Sequence, residues 1–240
     1  MPAARPPATT TPTVDRLLRY LLDGGDHQFA EELSSWLSQA ARFRSFADAH
    51  RDKIRKKLRG AADADARKDV RTELNVGRLL LADRRVALEF EAYGSGRPGP
   101  DFTVTLGGER FNLEVTRLRG DPASAGFGGL LAKVRQLPPS VANGVILAID
   151  GTDARAYDAA AAVTSLRGRA EAADDALFIA RGFRGSRDFR DRLARLGTTF
   201  VFAESATGDA RAVAWVNPTA RIPFSGRAGR ACLACLRSGD

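Results

Sequence analysis

Residues 101–116 read DFTVTLGGERFNLEVT, two runs of alternating apolar and polar residues joined by Gly107-Gly108. Period-two alternation marks a half-buried strand, and a Gly-Gly pair between two such runs signals a hairpin with a two-residue turn. With the glycines as the turn, Leu106 faces Glu109, Thr103 faces Asn112 and Asp101 faces Glu114. Phe102, Val104, Leu106, Phe111, Leu113 and Val115 then share one face, and Asp101, Thr103, Thr105, Asn112, Glu114 and Thr116 share the other. The first face packs and the second presents oxygen atoms. Directly opposed Cβ atoms lie about 4.5 to 5.5 Å apart, so two ionised carboxylates there repel unless something neutralises them. A divalent cation does so. The alternatives are a surface hairpin with two solvated acids, or a pair sharing one proton.

Outward from the hairpin, a helix is expected over about 67–82 and a strand over 86–93, followed by a loop at 94–100. The two hairpin strands are expected at 101–106 and 110–118. Downstream the pattern predicts a helix at about 128–137, ended by Pro138-Pro139, and a strand at 144–149. A helix over 153–172, a strand over 176–180, a helix over 186–196 and strands over 199–203 and 210–216 complete the reading. Upstream, Leu17, Leu18, Leu21, Leu22, Phe29, Leu33, Trp36, Leu37, Phe43 and Phe46 recur at helical spacing, predicting two or three amphipathic helices. The domain plan is a disordered Pro/Ala/Thr tail at 1–13, a helical region at 14–65, a core at 66–218 and a basic tail at 219–240. The class is α/β or α+β, with a mixed sheet covered by helices.

The 240 residues carry 37 Lys and Arg against 29 Asp and Glu, a net charge of +8 that suits a polyanion partner. The last quarter, from residue 181, holds 11 basic and 5 acidic residues, which makes it the expected surface for a phosphate backbone. Arg181, Arg184, Arg187, Arg190, Arg192 and Arg195 cluster there, partly offset by Asp188 and Asp191. A second basic run, Arg51 to Arg59, reads equally as a solvated helix face or a phosphate contact. No apolar run reaches the roughly 18 residues of a membrane span and no secretory signal is evident, so a cytoplasmic, soluble protein is expected. Two Cys and two His disfavour a disulfide framework or a zinc site, Cys232-x-x-Cys235 standing alone, so any metal should be held by oxygen. Gly94-x-Gly-x-x-Gly99 leads into a strand, not a helix, and lacks the context of a dinucleotide loop.

Pro100-Asp101, then Glu114-Val115-Thr116, preceded by a helix with Glu73 and followed by one with Lys133 and Gln136, resembles the PD-(D/E)XK nuclease superfamily. The likeness covers about residues 66–150, in the order helix, three strands, helix, strand. It implies a restriction-endonuclease-like core and a metal-dependent nuclease acting on phosphodiester bonds in nucleic acid, DNA in the first place. Carried over, Asp101 and Glu114 bind Mg2+ (Mn2+ being the alternative), the Val115 carbonyl is a further ligand, and Glu73 contacts metal or water. Glu91 is a competing acid nearby. The superfamily's lysine two residues after the Glu is here Thr116, and Arg117 points to the opposite face. Lys133, one of five lysines, is the expected replacement, with Gln136 beside it. Thr116 also admits the alternative of a catalytically inactive nuclease-fold protein that binds nucleic acid as an accessory module. Many such nucleases pair to cut both strands, which makes a homodimer an admissible assembly.

Overall fold

The computed structural model describes residues 13–23, 28–94, 99–119, 122–151 and 153–238, with only the backbone of 122–127. The tail expected at 1–13 lies outside the described residues apart from Thr13, as does the centre of the 94–100 loop. The chain forms two compact units, Met1–Val70 and Arg71–Asp240. The division falls within helix α5 (Ala64–Ala82), a few residues beyond the boundary expected at 65.

Among its described residues the first unit holds four whole helices, α1 (Val14–Leu21), α2 (Ala30–Gln39), α3 (Ala41–Ala49) and α4 (Arg51–Gly60), where two or three were expected. Ala40 alone separates α2 from α3, and His50 alone separates α3 from α4. A one-residue break leaves the apolar spacing almost intact, so the pattern runs on while the axis turns. Leu17, Leu21, Leu33, Leu37, Phe43 and Ile54 are buried together as this unit's core.

Among the described residues of the second unit, six strands form one sheet in sequence order: β1 (Val86–Phe90), β2 (Phe102–Leu106), β3 (Glu109–Leu118), β4 (Ala142–Ile149), β5 (Leu196–Ala203) and β6 (Ala212–Val216). β1, β2 and β3 are antiparallel, β3, β4 and β5 are parallel, and β6 returns antiparallel. Helix α6 (Pro122–Val134) makes the crossover from β3 to β4. Helices α7 (Ala159–Glu171), α8 (Asp175–Ile179) and α9 (Ser186–Leu193) fill the β4–β5 connection, and α10 (Gly226–Arg237) closes the chain. The class is α/β, a mixed sheet flanked by helices. No helix among the described residues is long and apolar enough to cross a membrane.

The hairpin register is the expected one. Gly107 (φ +55°) and Gly108 (φ +88°) both take the left-handed backbone that a two-residue turn of this twist needs. Leu106 faces Glu109, Thr103 faces Asn112, and the ladder ends at Phe102 opposite Leu113. One sheet face packs Leu118, Val145, Leu147 and Val201 against Leu130 and Val134 of α6, Val163 and Leu166 of α7 and Phe189 of α9. The other carries Phe102, against which Gly77 of α5 is seated, and Phe111 and Phe200, which pack on Phe224.

Three expectations change. Thr103, Asn112 and Glu114, read as the face that presents oxygen, are buried, because α6 covers that face as well and the polar atoms satisfy one another. The strand expected over 176–180 is instead α8: the Asp174 carboxylate accepts from Leu177 N–H as an N-cap, Phe178 is buried and Ile179 is 58% exposed. A run of apolar residues this short fits either state, and the cap decides it. The basic stretch 219–240 carries α10, capped by Ser225 and burying Ala228, Cys232, Cys235 and Leu236. Burial pushes the Cys232 thiol up, and that of Cys235 up to about 11, so both serve as small packing residues.

Candidate active site

Beyond Leu113, β3 continues to Leu118 paired with β4 alone, because β2 has ended. On the vacated side Val115 N–H needs an acceptor, and Asp101, one residue before β2, supplies it: Oδ2 lies 2.8 Å away. Asp101 N–H in turn donates to Glu114 Oε2 at 3.1 Å. Each carboxylate thus accepts from the other's strand. The N–H and C=O of a strand residue point to the same side, so the Val115 carbonyl opens beside Asp101 where no ladder partner follows. Glu91, at φ +45°, donates its N–H to the Asp101 carbonyl at 2.8 Å and anchors the segment from the β1 side. The expected competing acid is therefore a backbone clamp on Asp101.

Both carboxylates are buried, with Glu114 1% and Asp101 7% exposed. Lys133, in the last turn of α6, brings Nζ to 2.5 Å from Glu114 Oε1. Burial first, then the charge on Asp101, pushes Glu114 up to about 7 against the pull of Lys133. Burial works against the Lys133 ammonium, but the charges of Glu114 and Asp101, the bond to Glu114 and the charge of Glu73 outweigh it and raise its pKa. Lys133 therefore stays protonated at neutral pH.

The lysine expected to replace the one missing at Thr116 does reach the acid pair. Thr116 is half-buried on the Glu114 face, whereas Arg117 lies on the opposite face, paired with Asp150 at 3.0 Å. Glu73, half-buried on α5, acts on the charge of Lys133. It does not join Asp101 and Glu114 in a common ligand group: among the described residues no three His, Cys, Asp or Glu side chains are gathered to hold a metal. Gln136 lies in the turn after α6, its N–H bonded to the Lys133 carbonyl at 2.9 Å, and no hydrogen bond joins its side chain to either carboxylate.

A supporting row escaped sequence reasoning. Asn112, fully buried, accepts from the Thr103 hydroxyl at 2.9 Å and donates to Asn143 Oδ1 and to the Tyr93 hydroxyl, each at 3.1 Å. Asn143 Nδ2 donates to the carbonyls of Pro138, Val141 and Arg195. The row runs across β2, β3 and β4 and fixes the strands two residues from Glu114. Thr103 opposite Asn112 was the visible signal, but Asn143 lies just ahead of the strand expected at 144.

Asp101, Glu114 and the Val115 carbonyl are the oxygen donors that a hard cation such as Mg2+, usually bound through one or two carboxylates, would use here. Glu114, buried and beside Asp101, is a group that needs a positive neighbour, which Lys133 provides here. Comparison with protein-family models, curated proteins and solved structures finds no match to this chain.

Proposed function

We propose that this chain is a metal-dependent nuclease that hydrolyses phosphodiester bonds in nucleic acid, DNA in the first place, on a restriction-endonuclease-like core. The observation that carries the reading is the buried Asp101–Glu114 pair with Lys133 Nζ 2.5 Å from Glu114, on a strand whose motif lysine is missing. A structural ion pair has no need of two acids side by side at a strand end, where their repulsion costs free energy. The element order α5, β1, β2, β3, α6, β4 supports the core assignment.

Asp101, Glu114 and the Val115 carbonyl would hold Mg2+ or Mn2+, with Glu73 near enough to add negative potential. Such an ion, when bound, lowers the pKa of water and offsets charge developing on the phosphate. Lys133 is a donor and a fixed positive charge rather than a base, since its pKa is raised. Its ammonium orients water or a phosphate oxygen once its contact with Glu114 loosens. The Val115 N–H bond holds Asp101, and the Asn112 row keeps β2 and β3 in register beneath it.

Thr116 favours a second reading, a catalytically inactive nuclease-fold protein that binds nucleic acid as an accessory module. Incubating the purified chain with single-stranded, duplex and branched DNA and with RNA, in Mg2+, Mn2+ or chelator, beside Asp101→Ala, separates the two. Metal-dependent cleavage abolished by the substitution is expected. Cleavage that survives both chelator and Asp101→Ala overturns the nuclease reading, and salt-dependent binding without metal-dependent cleavage selects the second.

A further inference from the structure

The arginine cluster of residues 181–195 separates in the folded chain into two groups. Arg192 is engaged by Asp188 at 3.0 Å and by the Arg135 carbonyl at 2.8 Å, and Arg195 by the Leu137 carbonyl at 3.1 Å. These bonds fasten α9 to the turn after α6. Arg181 and Arg184 are exposed and make no ion pair among the described residues; nor does exposed Arg135. Among the described acids, Asp188 is bonded by Arg192 and by Arg184 N–H, Asp175 by Ser186 N–H and Asp191 by Arg221.

Two glycines locate two of these guanidinium groups, those of Arg135 and Arg181, at the junction of α6 with the loop that holds Arg181 and Arg184. A Cβ on Gly128 of α6 would come to 3.0 Å from Arg181 Nη1, and one on Gly182, which has φ +81°, would overlap the Arg135 guanidinium. Arg181 thus lies over α6, and Arg135 over the residue that follows Arg181. Like charges on one surface whose side chains form no ion pair cost free energy in the free protein and gain it back against a polyanion. Gly128 precedes Lys133 by five residues on the same helix, about 7.5 Å along its axis and about 140° around it.

We propose that Arg135, Arg181 and Arg184 form the strip that holds the phosphodiester backbone of the nucleic acid as it approaches Glu114 and Lys133. The inference rests on the nuclease-fold reading and names where its substrate lies. The other basic stretch, on α4, differs in kind: Asp23 pairs with Arg55 and Arg59, Asp48 with Arg51, and the Tyr20 hydroxyl bonds Asp52. Half of its six basic side chains, Arg51, Arg55 and Arg59, thus pair with acids of their own unit.

The test uses the full chain carrying Arg135→Ala, Arg181→Ala and Arg184→Ala, beside Arg187→Ala with Arg190→Ala, which removes exposed arginines from another flank of α9. Binding of labelled duplex DNA, single-stranded DNA and RNA is followed by anisotropy against salt in chelator, with thermal unfolding as the check on folding. The triple variant is expected to lower the salt slope by about 0.9 for each duplex phosphate contact, about 2.7 in all, and to weaken binding about tenfold or more. The double variant is expected to change the slope by less than about 1. An unchanged slope in the triple variant, or an equal loss in the double, overturns the strip while leaving the nuclease reading standing. No binding by the unsubstituted chain overturns both. Binding that depends on the strip without metal-dependent cleavage upholds the strip and removes the nuclease.

Discussion

Replacing Lys133 with methionine removes the ammonium 2.5 Å from Glu114 Oε1 and keeps most of the side-chain volume. In the parent chain Glu114 is pushed up to about 7 from its ordinary value of 4.5. The folded state then holds a proton that the unfolded chain has released over that window. The stability tied to it is fully present below about 4.5 and lost as pH rises through 7, at about 1.4 kcal/mol per pH unit and about 3 kcal/mol in all. Above 7 the parent curve levels, because Glu114 ionises against Lys133. In Lys133→Met nothing nearby offsets that charge, so the Glu114 pKa climbs further and stability keeps falling. The difference between the two proteins should be about 1 kcal/mol at pH 5, one hydrogen bond, and about 3 to 4 kcal/mol at pH 9. Urea unfolding from pH 5 to 9 in chelator measures it. A difference constant to within about 0.5 kcal/mol over that range refutes the claim that Lys133 neutralises Glu114.

Asp101→Asn removes the second-largest cause of the raised Glu114 pKa while leaving an oxygen for Val115 N–H, so the pH window of lost stability should move down, read by the same titration. Asn112→Leu strands the Thr103 hydroxyl, Asn143 Oδ1 and the Tyr93 hydroxyl, and should cost about 1 to 3 kcal/mol in urea unfolding, while Tyr93→Phe should cost under about 1. Equal costs for the two would mean that Asn112 is not the hub of the row.

How far the chain could be read from its residues depended on how local the cause was. The hairpin register followed from two glycines and a period of two, because a two-residue turn leaves one way to pair the strands. Lys133 could be singled out because lysine is rare here and the helix after β3 had to cross the same sheet face. What stayed hidden depended on the third dimension. Both sheet faces are covered, so polar residues on the second face had to bond one another, and Asn143 entered from a strand start that periodicity placed two residues late. Asp174 acting as a cap turned an apolar pentamer into a helix. The six arginines of 181–195 look alike in sequence, and only the positions of Asp188 and the Arg135 and Leu137 carbonyls tell the engaged from the available.

The two-residue turn at Gly107-Gly108 sits at the far end of the hairpin from Asp101 and Glu114, about 17 Å away at 3.4 Å per residue. It nonetheless acts as the ruler for the site. One residue added or removed there shifts one strand by a step, turns either Asp101 or Glu114 toward the Phe102 face, and parts the two carboxylates. In descendants of this sequence, residue identity at the turn is thus open to exchange among those that accept positive φ, whereas a change in its length erases the acid pair without touching either acid.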